Sequence, residues 1–100
     1  MTEFEREICI AAEHPALPGH FPGQPLVPGV VLLEQVAQAL RAWRGERLTR
    51  VLEAKFMAPL LPGQVASLHL VQGKTDDARI QFRIQRDGML LARGTVEGMA

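Results

Sequence analysis

One hundred residues are the size of one domain around one core, so a single domain without a second catalytic one is expected. Lys+Arg and Asp+Glu both number 11, so no net field draws in nucleic acid or an anionic membrane. The single cysteine, Cys9, closes no intrachain disulfide, and its alternating apolar neighbourhood predicts a buried, inert thiol. The acidic start, Met1 to Glu7, is unlike a signal peptide, and no apolar run reaches the roughly 18–20 residues of a membrane span. The expectation is a soluble, cytoplasmic protein with no membrane or nucleic-acid partner.

Glu3 to Ala11 alternates, with Phe4, Ile8 and Ile10 on one side and Glu5, Glu7 and Cys9 on the other, which predicts a strand ending at His14-Pro15. From Pro15 to Gly29 the chain is dense in proline and glycine. Leu17, Phe21, Leu26 and Val27 are interleaved, so a rigid loop packed on a core is expected rather than a polar linker. Val30 to about Trp43 reads as a helix with Gly45 as its stop. Its apolar arc, which takes in Val30, Val31, Leu32, Leu33, Val36, Ala37, Ala39 and Leu40, is wide enough to predict a largely enclosed helix.

Strand patterns then follow one another. Leu48–Phe56 is weakly patterned and leads into turns at Pro59 and Pro62-Gly63. Gln64–Val71 puts Ala66, Leu68 and Leu70 on one face. Ala78–Arg86 alternates most cleanly, Asp87-Gly88 is a hairpin signal, and Met89–Glu97 returns. One helix among antiparallel strands predicts an α+β fold over residues 1–100.

Glu34 is the one acid in the first half of the helix, with Gln38 one turn on and able to hydrogen-bond it. Two readings stay open. A desolvated carboxyl there would have a raised pKa and serve as a general acid, whereas one at a polar helix edge would simply be solvated. His20 sits in the rigid loop beside Phe21, and loop position alone does not separate a catalytic from a structural histidine. His14, before a proline at a strand end, and His69, on the polar side of a strand, read as structural or solvent-facing. No spacing among the three histidines suggests a metal site, and no cofactor is expected.

The stretch Gly19-His20-Phe21-Pro22-Gly23-Gln24-Pro25-Leu26-Val27-Pro28-Gly29-Val30, continued by Leu33-Glu34-Gln35-Val36-Ala37-Gln38, resembles the signature of the bacterial 3-hydroxyacyl-ACP dehydratases. Lys55-Phe56-Met57-Ala58-Pro59 through Pro62-Gly63 is similar to a later segment of the same family. The resemblance implies a single hotdog fold, a curved antiparallel sheet wrapped around one central helix. It also implies a lyase of fatty-acid or specialised lipid biosynthesis that eliminates water from a 3-hydroxyacyl thioester. By resemblance His20 takes the C2 proton and Glu34 protonates the departing hydroxyl. Phe21, Gly23, Gly29, Val30 and Gln38 then contact substrate, with a backbone N–H near Gly29 or Val30 polarising the thioester carbonyl.

The implied partner is an acyl carrier protein. Acyl carrier proteins are acidic, so Arg41, Arg44, Arg47, Arg50 and Lys55 form the expected docking patch, with a solvated helix end as the alternative. A homodimer sharing His20 of one chain and Glu34 of the other is implied. Typical members are longer before the first strand, and the shorter form resembles small dehydratase-like subunits that work beside a related subunit. A non-catalytic partner subunit and a hotdog thioesterase remain the alternatives.

Overall fold

The computed structural model describes residues 2–14, 26–76 and 78–100. In chain order it contains β1 (Glu3–Cys9), α1 (Gly29–Arg44), β2 (Arg47–Phe56), β3 (Val65–Gln72), β4 (Arg79–Arg86) and β5 (Met89–Met99). The strands form one antiparallel sheet in the order β1-β3-β4-β5-β2, so β1 and β2 are its edges. The α+β layout is as expected from sequence, with element ends shifted by a residue or two, except that β1 stops at Cys9, well short of the expected end at His14-Pro15.

The period-2 alternation of the strands decides which face meets the helix. Ile8, Ala66, Leu68, Leu70, Ile80, Phe82, Ile84, Ala92 and Val96 are buried on the inner face, and Val31, Leu32, Val36, Ala39 and Leu40 of α1 pack in the same core. Among the described residues every buried side chain is apolar. Burying each large aliphatic chain contributes roughly 1.5–3 kcal/mol, so this one continuous cluster holds helix to sheet.

Local signals end the elements where the sequence places them. Gly45 adopts φ 65°, and its N–H donates to the Arg41 carbonyl at 2.9 Å, closing α1 in a left-handed cap. Asp87 and Gly88 have φ 51° and 78°, the mirror-image turn whose twist suits a tight hairpin between β4 and β5.

The connection from β2 to β3 fixes the start of the helix. Met57 N–H donates to Leu91 O at 2.8 Å, Gly63 N–H to Ile10 O at 2.8 Å, and Val27 N–H to Leu60 O at 2.9 Å. The fully buried Leu60 anchors this crossing, and through Val27 the chain just before α1 is tied to it. The helix N-terminus is thereby held beside the end of β2.

One expectation is corrected here. Cys9 is exposed. It shares the outward side of β1 with Glu5 and Glu7, so the alternation that buries Ile8 turns the thiol to solvent.

Candidate active site at the start of the helix

Helix α1 starts at Gly29, after an extended Pro28 that has no side chain to cap the first turn. Helix geometry leaves the N–H groups of Gly29 and Val30 without intrahelical acceptors, and the first turn carries no acid to offset the positive end of the dipole. An oxygen that gains negative charge is stabilised at such a position. Beside it lies a groove of about 260 Å³, lined by apolar residues that include Leu26, Pro28, Leu32, Phe56, Met57 and Leu60. Val30, at 67% exposure, borders open solvent.

Phe56 forms the wall of this groove nearest the helix. A β-carbon built on Gly29 would come within 2.9 Å of its Cζ, so glycine is what lets the ring lie over the helix start. The strand pattern alone did not mark Phe56 or Met57 as site residues. Their segment carried the second family resemblance, which was the available signal.

Glu34 and Gln38 lie one helical turn apart and are both exposed in the single chain. No hydrogen bond joins them. This corrects the expected largely enclosed helix. Val31, Leu32, Val36, Ala39 and Leu40 form one buried stripe, while Val30, Glu34, Gln38 and Arg41 face away from the sheet. Five strands on one side cover one side of a helix. His20, Phe21 and Gly23 lie outside the described residues.

The five basic residues expected to form a docking patch do not lie together. Arg44 pairs with Glu46 at 3.0 Å and sits 5.2 Å from the centre of the Trp43 ring, as part of the joint between helix and sheet. Arg50 pairs with Glu97 at 3.6 Å. Arg41 and Arg47 are exposed near the helix end, whereas Lys55 is at the opposite end of β2, roughly 26 Å from Arg47 at about 3.3 Å per strand residue. His69 lies on the outer side of β3, with its Nε2 2.7 Å from Glu3 Oε1 on β1.

A model of the ApeI-like family, described as the ApeI dehydratase, matches residues 1–95. The chain belongs to this family of dehydratases. Among curated relatives, the 3-hydroxyacyl-acyl-carrier-protein dehydratase FabZ of Rhizobium rhizogenes is 29% identical over 101 residues, covering 90% of this chain and 64% of the relative. The chain thus spans less than two thirds of that relative's length. Among solved structures, a chain of the dehydratase heterocomplex ApeI:P from Xenorhabdus doucetiae superposes with a TM-score of 0.84 at 24% identity, covering 99% of this chain and 88% of that one. The 1,4-dihydroxy-2-naphthoyl-CoA thioesterase Slr0204 from Synechocystis gives 0.70 at 18% identity, covering 97% and 80%. These likenesses show the hotdog fold, which dehydratases and thioesterases share.

Proposed function

We propose that this chain dehydrates 3-hydroxyacyl thioesters borne by an acyl carrier protein, releasing water and leaving the trans-2-enoyl thioester. The observation that carries the reading is the dehydratase family match over residues 1–95, a span that includes both His20 and Glu34. In the reaction His20, as neutral imidazole, takes the C2 proton. The carbon–oxygen bond at C3 breaks as Glu34 gives its proton to the departing hydroxyl. The N–H groups at Gly29 and Val30 hold the thioester oxygen as it gains charge, and the groove bounded by Phe56 and Leu32 receives apolar chain. By the family signature Phe21, Gly23 and Gln38 contribute to substrate binding, and Gln38, one turn beyond Glu34, would reach the carboxyl once a second subunit covers this face. The reading puts the reaction in the cytoplasm, within fatty-acid-type biosynthesis.

The working form in this reading is a homodimer. The uncovered face of α1 is one support, because a second subunit laid over Val30, Glu34 and Gln38 would enclose the carboxyl with the substrate and exclude water from it. The open edge of β2 is another, with Val51 still 43% exposed on the inner face. The opposite edge, β1, carries Glu3, Glu5 and Glu7 outward and turns Arg6 inward, a charge pattern that discourages strand addition. A second reading replaces the identical partner with a related subunit. It is supported by the likeness to a chain of a dehydratase heterocomplex.

The test is incubation of the protein with a 3-hydroxyacyl-carrier protein and mass spectrometry of the product. Loss of one water, abolished in His20→Ala and Glu34→Ala, is the expected result. Release of free acid would assign a thioesterase, and turnover only after adding a related subunit would assign the heteromer.

A further inference from the structure

The strand registers align a row of basic residues across the outer face of the sheet. His69 on β3 is paired with Arg83 on β4, Arg83 with Arg93 on β5, and Arg93 with Lys55 on β2. Directly paired residues share a face, and this one is turned away from the helix. Arg83, Arg93 and Lys55 are all exposed. Among the described residues neither Arg83 nor Lys55 has an ion-pair partner, and Arg93 has only Glu53 at 3.4 Å. Like charges placed directly opposite one another destabilise a sheet, so the Arg83–Arg93–Lys55 row is a cost that an anionic partner would remove.

We infer that Arg83, Arg93 and Lys55 form the docking row for an acidic helix of the carrier protein. The inference rests on the carrier-thioester reading above and adds where the carrier sits. Adjacent strands are about 4.8 Å apart, and side chains one turn apart on a helix are about 5–6 Å apart. A helix lying across β4, β5 and β2 therefore meets one cation per turn. The row is one-sided, because its far end at β1 is Glu5, paired with His69, beside Glu3 and Glu7. An acidic partner is repelled there and drawn toward β2. Lys55 directly precedes Phe56, whose ring lies on Gly29, so a thioester arm rounding the end of β2 enters the groove at the helix start.

The test measures binding of a fluorophore-labelled bacterial holo-acyl carrier protein by anisotropy, without any turnover. Charge reversal at Arg83, Arg93 or Lys55 is expected to raise the dissociation constant on the order of tenfold each, and added salt to weaken wild-type binding. Lys74→Glu, the same charge change in the exposed turn after β3, leaves it unaltered. Arg83→Gln, checked by thermal melting, keeps the test valid if a reversal unfolds the sheet, and it weakens binding by a smaller factor. Reversal variants that bind like wild type overturn the docking row even if the protein is a dehydratase. Weakened binding without any water loss from the carrier-bound substrate overturns the dehydratase reading alone. Absence of carrier binding, with vesicle binding or self-association lost in the same variants, reassigns the row and overturns the inference.

Discussion

The ring of Phe56 lies directly over Gly29, so close that a single added methyl at Gly29 would sit 2.9 Å from its Cζ. Strand β2 thus ends on the first residue of α1, where two backbone N–H groups point out of the helix. Phe56 is 47% exposed and its ring can swing outward. Gly29→Ala should therefore cost no more than about 1 kcal/mol of stability. In the proposed reaction it should lower the dehydration rate on the order of tenfold or more, because the displaced ring would reshape the groove assigned to the thioester oxygen. A thermal melt beside the product assay separates the two effects. A large drop in melting temperature with an unchanged rate would refute this account.

Gly94 is a different case. A β-carbon there would approach the Glu53 carbonyl oxygen and come within 2.5 Å of the Phe82 ring, so backbone or a buried ring must shift to admit it. Phe82 is 1% exposed and faces Gly94 across the β4–β5 ladder. Gly94→Ala should destabilise the fold by about 3 kcal/mol, through overpacking of the sheet centre. Urea unfolding monitored by circular dichroism gives the number, and a loss below about 1 kcal/mol would contradict the crowding.

Much of this arrangement was legible in the residues. The clean alternation of Ile80, Phe82 and Ile84 named the buried face of β4, Asp87-Gly88 named the turn, and Gly45 named the helix end. Each is a local signal, set within a few residues. Other features depend on how many neighbours an element has. The apolar arc of α1 reads as an enclosed helix, yet one sheet covers only the Val36 side and leaves Glu34 open. Lys55 looked like part of a basic run with Arg47 and Arg50. Strand pairing puts it beside Arg93 instead, a register that sequence spacing does not contain. Cys9 was misjudged for the opposite reason, since its own alternation with Ile8 pointed outward all along.

Trp43 joins the end of the helix to the first strand. Its ring is stacked on Phe4 with centroids 6.1 Å apart and planes 18° apart, and the Arg44 guanidinium lies 5.2 Å from its centre. β1 is an edge strand held on one side only, by β3. Trp43→Ala should cost about 2–3 kcal/mol, less than for a fully buried aromatic, since Trp43 is only partly buried. The loss should concentrate at β1. Hydrogen exchange of the Phe4 to Ile8 amides is expected to accelerate more than that of β4. Uniform acceleration across the sheet would show instead that the stacking supports the whole fold.

The proposed dimer makes a sharper demand on the catalytic pair. If each site takes His20 from one subunit and Glu34 from the other, neither His20→Ala nor Glu34→Ala alone has an intact site. Mixing the two under conditions of subunit exchange creates heterodimers in which one site keeps both groups. Random exchange makes half of the dimers mixed, so recovery should approach about one quarter of wild-type activity per chain. Val51→Glu, which puts a charge on the inner face of the open β2 edge, should shift the protein toward monomer in sedimentation and abolish that recovery. No recovery from a mixture that demonstrably exchanges would place both residues in one chain. Dimers unaffected by the Val51 change would move the interface away from β2.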